Sequence, residues 1–145
     1  MKKSVVLMGM LSAMLLTSAH ANFLKKPSKC PTMASIKQVG IQHARQSEVG
    51  SDWVAWSNNN YNTNDLWMFI IISIEAKNES NALQKAQKML PKFQHVGGPP
   101  IPEDDAYSCL YTTPMPQEKY AIAITPPLIT STLMKRLSMK YTPSY

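Results

Sequence analysis

Two histidines and two cysteines, His43, His95, Cys30 and Cys109, follow an apolar N-terminal stretch, and they are the first places to look for chemistry. An imidazole ligates metals or relays protons, and a thiolate attacks carbonyls or binds zinc. Their arrangement supplies neither set. The histidines are far apart with no His-Glu-x-x-His, and the cysteines form no Cys-x-x-Cys, so a zinc site would need carboxylate help. There is no Gly-x-Ser-x-Gly for acyl transfer. Gly97-Gly98 stands alone before Pro99-Pro100 and reads as a turn, not a phosphate cradle. Glu103-Asp104-Asp105 lacks the spacing of a calcium loop and reads as a solvated loop, and nothing selects a carboxylate pair for glycoside cleavage. The expectation is a protein without catalytic or metal residues.

Ligand binding is the remaining chemistry. Haem iron accepts His, Tyr or Met, and haem propionates seek Lys or Arg. The candidate ligand-binding residues are His43, His95, Tyr107 and Tyr111, with haem a possible cofactor and the imidazoles the first to test. Each has a structural reading as well. Trp53, Trp56 and Trp67 could form a stacking platform, but in a strand Trp53 and Trp56 point to opposite faces, so core packing is the better explanation.

The compartment limits the partners. Lys2 and Lys3 precede an apolar run from Val5 to Leu16 that ends at Ala19-His20-Ala21, the pattern of a secretory signal peptide over residues 1–21. Asn22 would then begin the mature chain, with no cysteine there to take a lipid, and the protein would be periplasmic or secreted. In such a compartment Cys30 and Cys109 are expected to pair. That bond closes a loop for which chain entropy gives ~4.5 kcal/mol. No later stretch is long enough to span a bilayer. The net charge of +6 falls when Lys2 and Lys3 leave but stays positive, which favours anionic lipids, lipopolysaccharide or haem propionates over nucleic acid.

The elements that would position these residues read as follows. Residues 22–29 are a lysine-rich flexible leader, 30–125 a single α+β domain, and 126–145 a C-terminal tail. A strand with a bulge near Gly40 is expected over 35–45, then a strand over 52–57, an asparagine-rich turn over 58–65 and a strand over 66–75 that is apolar on both faces. A helix follows, capped by Ser80 and ended by Pro91, with Ala82, Leu83, Ala86, Met89, Leu90 and Phe93 on one side. Residues 95–102 cannot be regular, and strands at 107–112 and 118–125 form a hairpin. The order β-β-β-α-β-β predicts an antiparallel sheet of about five strands covered by one helix, its first and last strands at the edges. In the tail, Ile129, Leu133, Leu137 and Tyr141 fall four apart. A helix of that length must dock on the sheet, lie on an anionic membrane or fray.

The signal peptide, Cys30-Pro31, the strand pair from Trp53 to Glu75, the helix from Ser80 to Leu90 and Cys109 together resemble a group of small exported bacterial proteins, one member of which promotes hemin binding. The likeness covers about residues 30–125 and leaves the segment after Pro127 outside. It implies an exported non-catalytic protein that binds hemin or another amphipathic anion, and it carries over no binding residue. The alternative is an envelope or host-surface module that binds a protein through an exposed sheet edge.

Overall fold

The computed structural model describes residues 24–48, 50–127, 135–136 and 139–140. The expected signal peptide over 1–21 and most of the tail helix over 128–141 lie outside the described residues.

Residues 35–45 are not one strand. Thr32 caps a short helix α1 (Met33–Val39), its side chain accepting from the Ser35 N–H, and β1 (His43–Gln46) begins after the helix has ended. Gly40 is the reason for the break, since it sits at φ +75° and a Cβ there would lie 2.9 Å from Gln87 Nε2. Gln87 Oε1 in turn accepts the Ile41 N–H at 3.0 Å. The mixed periodicity of this stretch is therefore the end of a helix of about two turns, buried through Ile36, joined to a strand.

Strands β2 (Trp53–Asn59) and β3 (Trp67–Ile74) form the expected hairpin. Its turn is held by Tyr61, whose buried hydroxyl donates to the Ser57 carbonyl at 2.7 Å. Tyr61 and Asn62 both take positive φ, a conformation that asparagine tolerates better than tyrosine. Helix α2 (Glu79–Met89) is capped by Asn78, not Ser80: the Asn78 side chain accepts the Asn81 N–H at 2.9 Å, and Ser80 lies within the first turn. A 3-10 turn over Leu90–Lys92 carries Pro91. Residues 95–102 do contain regular structure, because β4 (Gln94–His95) and β5 (Ile101–Pro102) each pair with β6 (Tyr107–Thr112) on either side of Gly97-Gly98. β7 (Tyr120–Thr125) completes the set.

The sheet is antiparallel and open, and up to residue 127 the described residues form seven strands in place of about five and two α-helices in place of one. Its order is β1-β2-β3-β7-β6-β4, with β5 also on β6. The last strand is therefore internal, and β1 and β4 are the ends of that order. This follows from β3, which is buried along nearly its whole length and needs a neighbour on each side. β7 supplies one, pairing Ile122 with Ile70 and Ala123 with Phe69.

Two apolar clusters lie on the two faces. On the first, Trp67, Phe69, Ile71 and Ala123 pack beneath Ile36 of α1 and Ala82 and Ala86 of α2. On the second, Val54, Met68, Ile70, Ile72, Ile122 and Ile124 form a separate group. Simple alternation along β3 fails at its end. The register slips so that Trp53 faces Ile74 and Ala55 faces Ile71, with Ser73 at φ +56°. That bulge moves Ile74 to the helix-covered face and leaves Ser73 half-buried.

Candidate functional site

The residues that sequence chemistry nominates fall in three separate places. Cys30 and Cys109 are joined, which ties the start of the domain to β6. His95 pairs with Tyr111 across β4 and β6, so its ring shares the helix-covered face and lies 5.2 Å from the tyrosine ring. A His95 nitrogen and the two sulfurs lie within 4.8 Å of one another. Because the sulfurs are bonded to each other, that trio presents one imidazole and no thiolate. Burial lowers the His95 pKa, so the ring is neutral at pH 7. Tyr111 is fully buried and donates to the Pro31 carbonyl at 2.6 Å. Burial, reinforced by Tyr61, pushes its pKa far upward, which removes the phenolate a metal would need.

Tyr107 is on β6 about 13 Å along the strand from Tyr111. It pairs with Pro102 on one side and Thr125 on the other. His43 is in β1 opposite Trp56 and stacks on that indole at 5.4 Å, while Arg45 lies 5.9 Å from the same ring. Trp56 belongs to the second face, so His43 and His95 occupy opposite faces at opposite ends of the strand order, five strand spacings or about 24 Å apart. They cannot ligate one iron from its two sides. The tryptophans divide as strand alternation requires, Trp53 toward the first cluster and Trp56 toward the second. Trp67 is fully buried, its indole N–H donating to Thr63 Oγ1 at 3.0 Å.

The concave surface lies elsewhere, where the end of α2 meets the turn between β6 and β7. That turn is organised by Thr113, whose hydroxyl donates to the Gln117 carbonyl at 3.0 Å and accepts the Lys119 N–H at 2.9 Å. Two adjoining hollows share Met89, Pro116, Gln117 and Lys119. The first, about 610 Å³, sets Lys85 and Lys119 beside Glu75 and Glu118, so its charges are balanced. Lys85 Nζ also donates to the Glu75 carbonyl at 2.6 Å, and the Tyr120 hydroxyl donates to Glu118 at 2.9 Å. The second, about 530 Å³, has Met89, Pro91, Pro114 and Pro116 around Lys92 and Lys119, with Gln94 and Thr113 as neutral polar groups. Among the described residues no carboxylate lines it. Among the described residues neither Lys92 nor Lys119 is ion-paired. A hollow of ligand-pocket size lined by Met89, three prolines and two lysines is suited to a molecule that is both greasy and anionic.

None of His43, His95, Tyr107 or Tyr111 lines either hollow. The pocket residues are prolines, lysines, glutamines, a threonine and a methionine, types that carry no motif. The only trace in the sequence is Pro91-Lys92 closing a helix and Pro114 to Lys119 between two strands, segments whose meeting depends on β7 folding back between β3 and β6. Among the described residues no helix is long and apolar enough to cross a membrane.

No curated protein and no solved structure matches the chain. A family model does, over residues 29–137, and it begins one residue before Cys30 and runs past Pro127 into the tail. The match covers the disulfide, the seven strands β1–β7 and helices α1 and α2, and on it the chain belongs to the family described as a domain of unknown function, DUF4949.

Proposed function

We infer that the protein is an exported, non-catalytic binding protein whose ligand is an amphipathic anion held between the end of α2 and the β6–β7 turn. One observation carries this: the 530 Å³ hollow brings Met89, three prolines, Lys92 and Lys119 together, with no carboxylate among the described residues that line it. The ligand's acid group sits on the two ammonium groups, and its apolar body lies on Met89 and the three prolines. Hemin belongs to this ligand class, since its propionates are the anionic end and Met89 offers a thioether to its iron. The disulfide, the absence of a spanning helix among the described residues and the positive charge support export and an anionic partner.

Calorimetric titration with dodecanoate and with dodecanol tests the reading. Saturable binding of the acid, weakened at least tenfold for the alcohol, is expected. Equal binding of the two, or none, refutes it. Hemin is followed by its Soret band, with a saturable shift that survives His43→Ala and His95→Ala, because neither histidine lines the pocket.

A second reading, a protein-interaction module, is favoured by β1, which stands at the end of the strand order with β2 as its sheet partner. An extended peptide would add to its outer side. Recovery of a stoichiometric protein partner that is lost on Ala44→Pro would support this reading.

A further inference from the structure

The disulfide stands beside His95 for a topological reason. β4 pairs with β6 so that His95 lies opposite Tyr111, and Cys109 is two residues along β6 from Tyr111, on the same face of that strand. His95 and Cys109 are therefore diagonal neighbours on the helix-covered side of the sheet. The bond to Cys30 brings in a second sulfur, and one nitrogen of His95 lies within 4.8 Å of both. Cys30 and His95 reach solvent, whereas Cys109 is 1% exposed. The Gly98 carbonyl oxygen is 3.9 Å from Cys30 Sγ, in a loop where Gly97 and Gly98 take φ of +106° and +83° and a Cβ on either would meet nothing within 4 Å.

We propose that Cys30, Cys109 and His95 are the ligands of a Zn²⁺ site that the disulfide keeps closed and that a dithiol reductant opens. A thiolate of the reductant attacks Cys30 Sγ, the accessible sulfur, and the bond to Cys109 breaks with Cys109 leaving as a thiolate. The reductant's second thiol then displaces Cys30 and closes the reductant's own disulfide, so that two electrons and two protons pass to the cysteine pair. Zn²⁺ binds both sulfurs as thiolates, and the two protons go to water. Two thiolates and an imidazole are a donor set that zinc takes, with a fourth position left for water. Zn–S of about 2.3 Å and Zn–N of about 2.0 Å in a tetrahedron put the donor atoms roughly 3.6–3.8 Å apart. The imidazole nitrogen then has at most about 1.2 Å to close. The sulfurs part by side-chain rotation over Cα atoms that are 5.9 Å apart. This site is independent of the lysine pocket, with which it shares no residue.

The test adds Co²⁺, a spectroscopic stand-in for Zn²⁺, to the full chain before and after reduction by a phosphine. The phosphine takes oxygen from water to become its oxide and leaves no competing thiol. The reduced protein is expected to bind one Co²⁺ with thiolate charge-transfer absorption and the intense d–d bands of a tetrahedral site, both removed by one equivalent of Zn²⁺, and the disulfide form to show neither. His95→Gln should weaken binding at least tenfold, and His43→Gln should leave it unchanged. Where reduction alone unfolds the chain, Zn²⁺ should restore the far-ultraviolet circular dichroism of the disulfide form. No saturable charge-transfer band, equal affinity in wild type and His95→Gln, the same bands in the disulfide form, or a reduced chain that stays unfolded with Zn²⁺ overturns the proposal.

Discussion

The disulfide edge and the lysine pocket are close along the chain, since His95 belongs to the first and Gln94 to the second, yet they differ in what their polar groups have left to do. At the edge, the sulfurs are bonded to each other, the Tyr111 hydroxyl is committed to Pro31 and the His95 ring is packed against Tyr111. In the pocket, Lys92 and Lys119 line a hollow to which no described carboxylate contributes, although Lys119 also borders the adjoining hollow with Glu75 and Glu118. Residues of the more reactive types serve stability, and residues of bland types offer unused capacity. A binding site is marked by groups whose interactions are incomplete, and side-chain reactivity alone does not reveal it.

Substitutions should separate the two regions, one changing stability and the other affinity. Replacing both cysteines, Cys30→Ser with Cys109→Ser, should lower unfolding free energy by about 2–5 kcal/mol, because the bond closes a separation of 79 residues. Urea titration reads this, and dodecanoate affinity measured below the transition should not change. Lys92→Glu with Lys119→Glu should do the reverse. Affinity for dodecanoate should fall at least tenfold, about 1.4 kcal/mol, while the urea midpoint moves little. A large loss of stability in this pair would show that the lysines hold the turn together and are not reserved for a ligand.

Smaller effects refine the edge. Tyr111→Phe removes a buried hydrogen bond to the Pro31 carbonyl and should cost about 1–2 kcal/mol, read from the same urea curves, with ligand affinity intact. His95 should give the smallest effect, and its sign is fixed. Its folded-state pKa lies below the ordinary value of 6.5, so between those two values the unfolded chain binds the proton and the folded chain does not. The stability it contributes is present above pH 6.5 and is lost as pH falls through the folded pKa. Comparing melting temperatures of wild type and His95→Gln from pH 7.5 to 5 should show a shallower decline in the variant, and identical slopes would mean that the ring titrates normally.

Much of the fold was legible from the residues themselves. Both faces of β3 are apolar for most of its length, the stripe from Ala82 in α2 through the 3-10 turn to Phe93 is the one that packs, and the cysteine pair is joined as export chemistry suggested. What failed depended on contacts distant in sequence. Gly40 reads as a bulge until Gln87 of α2 is seen beside it, and then it is a helix end. Two-residue strands such as β4 and β5 have no period of their own and exist because β6 offers them hydrogen bonds. The position of β7 inside the sheet is a matter of topology, which pattern cannot supply. The pocket was hidden for the same reason, since Pro91-Lys92 and Pro114 to Lys119 meet only after that topology is formed.

Chemical-shift mapping of the isotope-labelled protein with dodecanoate is the most direct test of the binding site. Saturable shifts should centre on Met89, Lys92, Gln94, Thr113 and Lys119, with Cys30, His43, Cys109 and Tyr111 unmoved. Saturable shifts centred on His95 and the disulfide, on His43 and Trp56, or nowhere would contradict the assignment of this pocket.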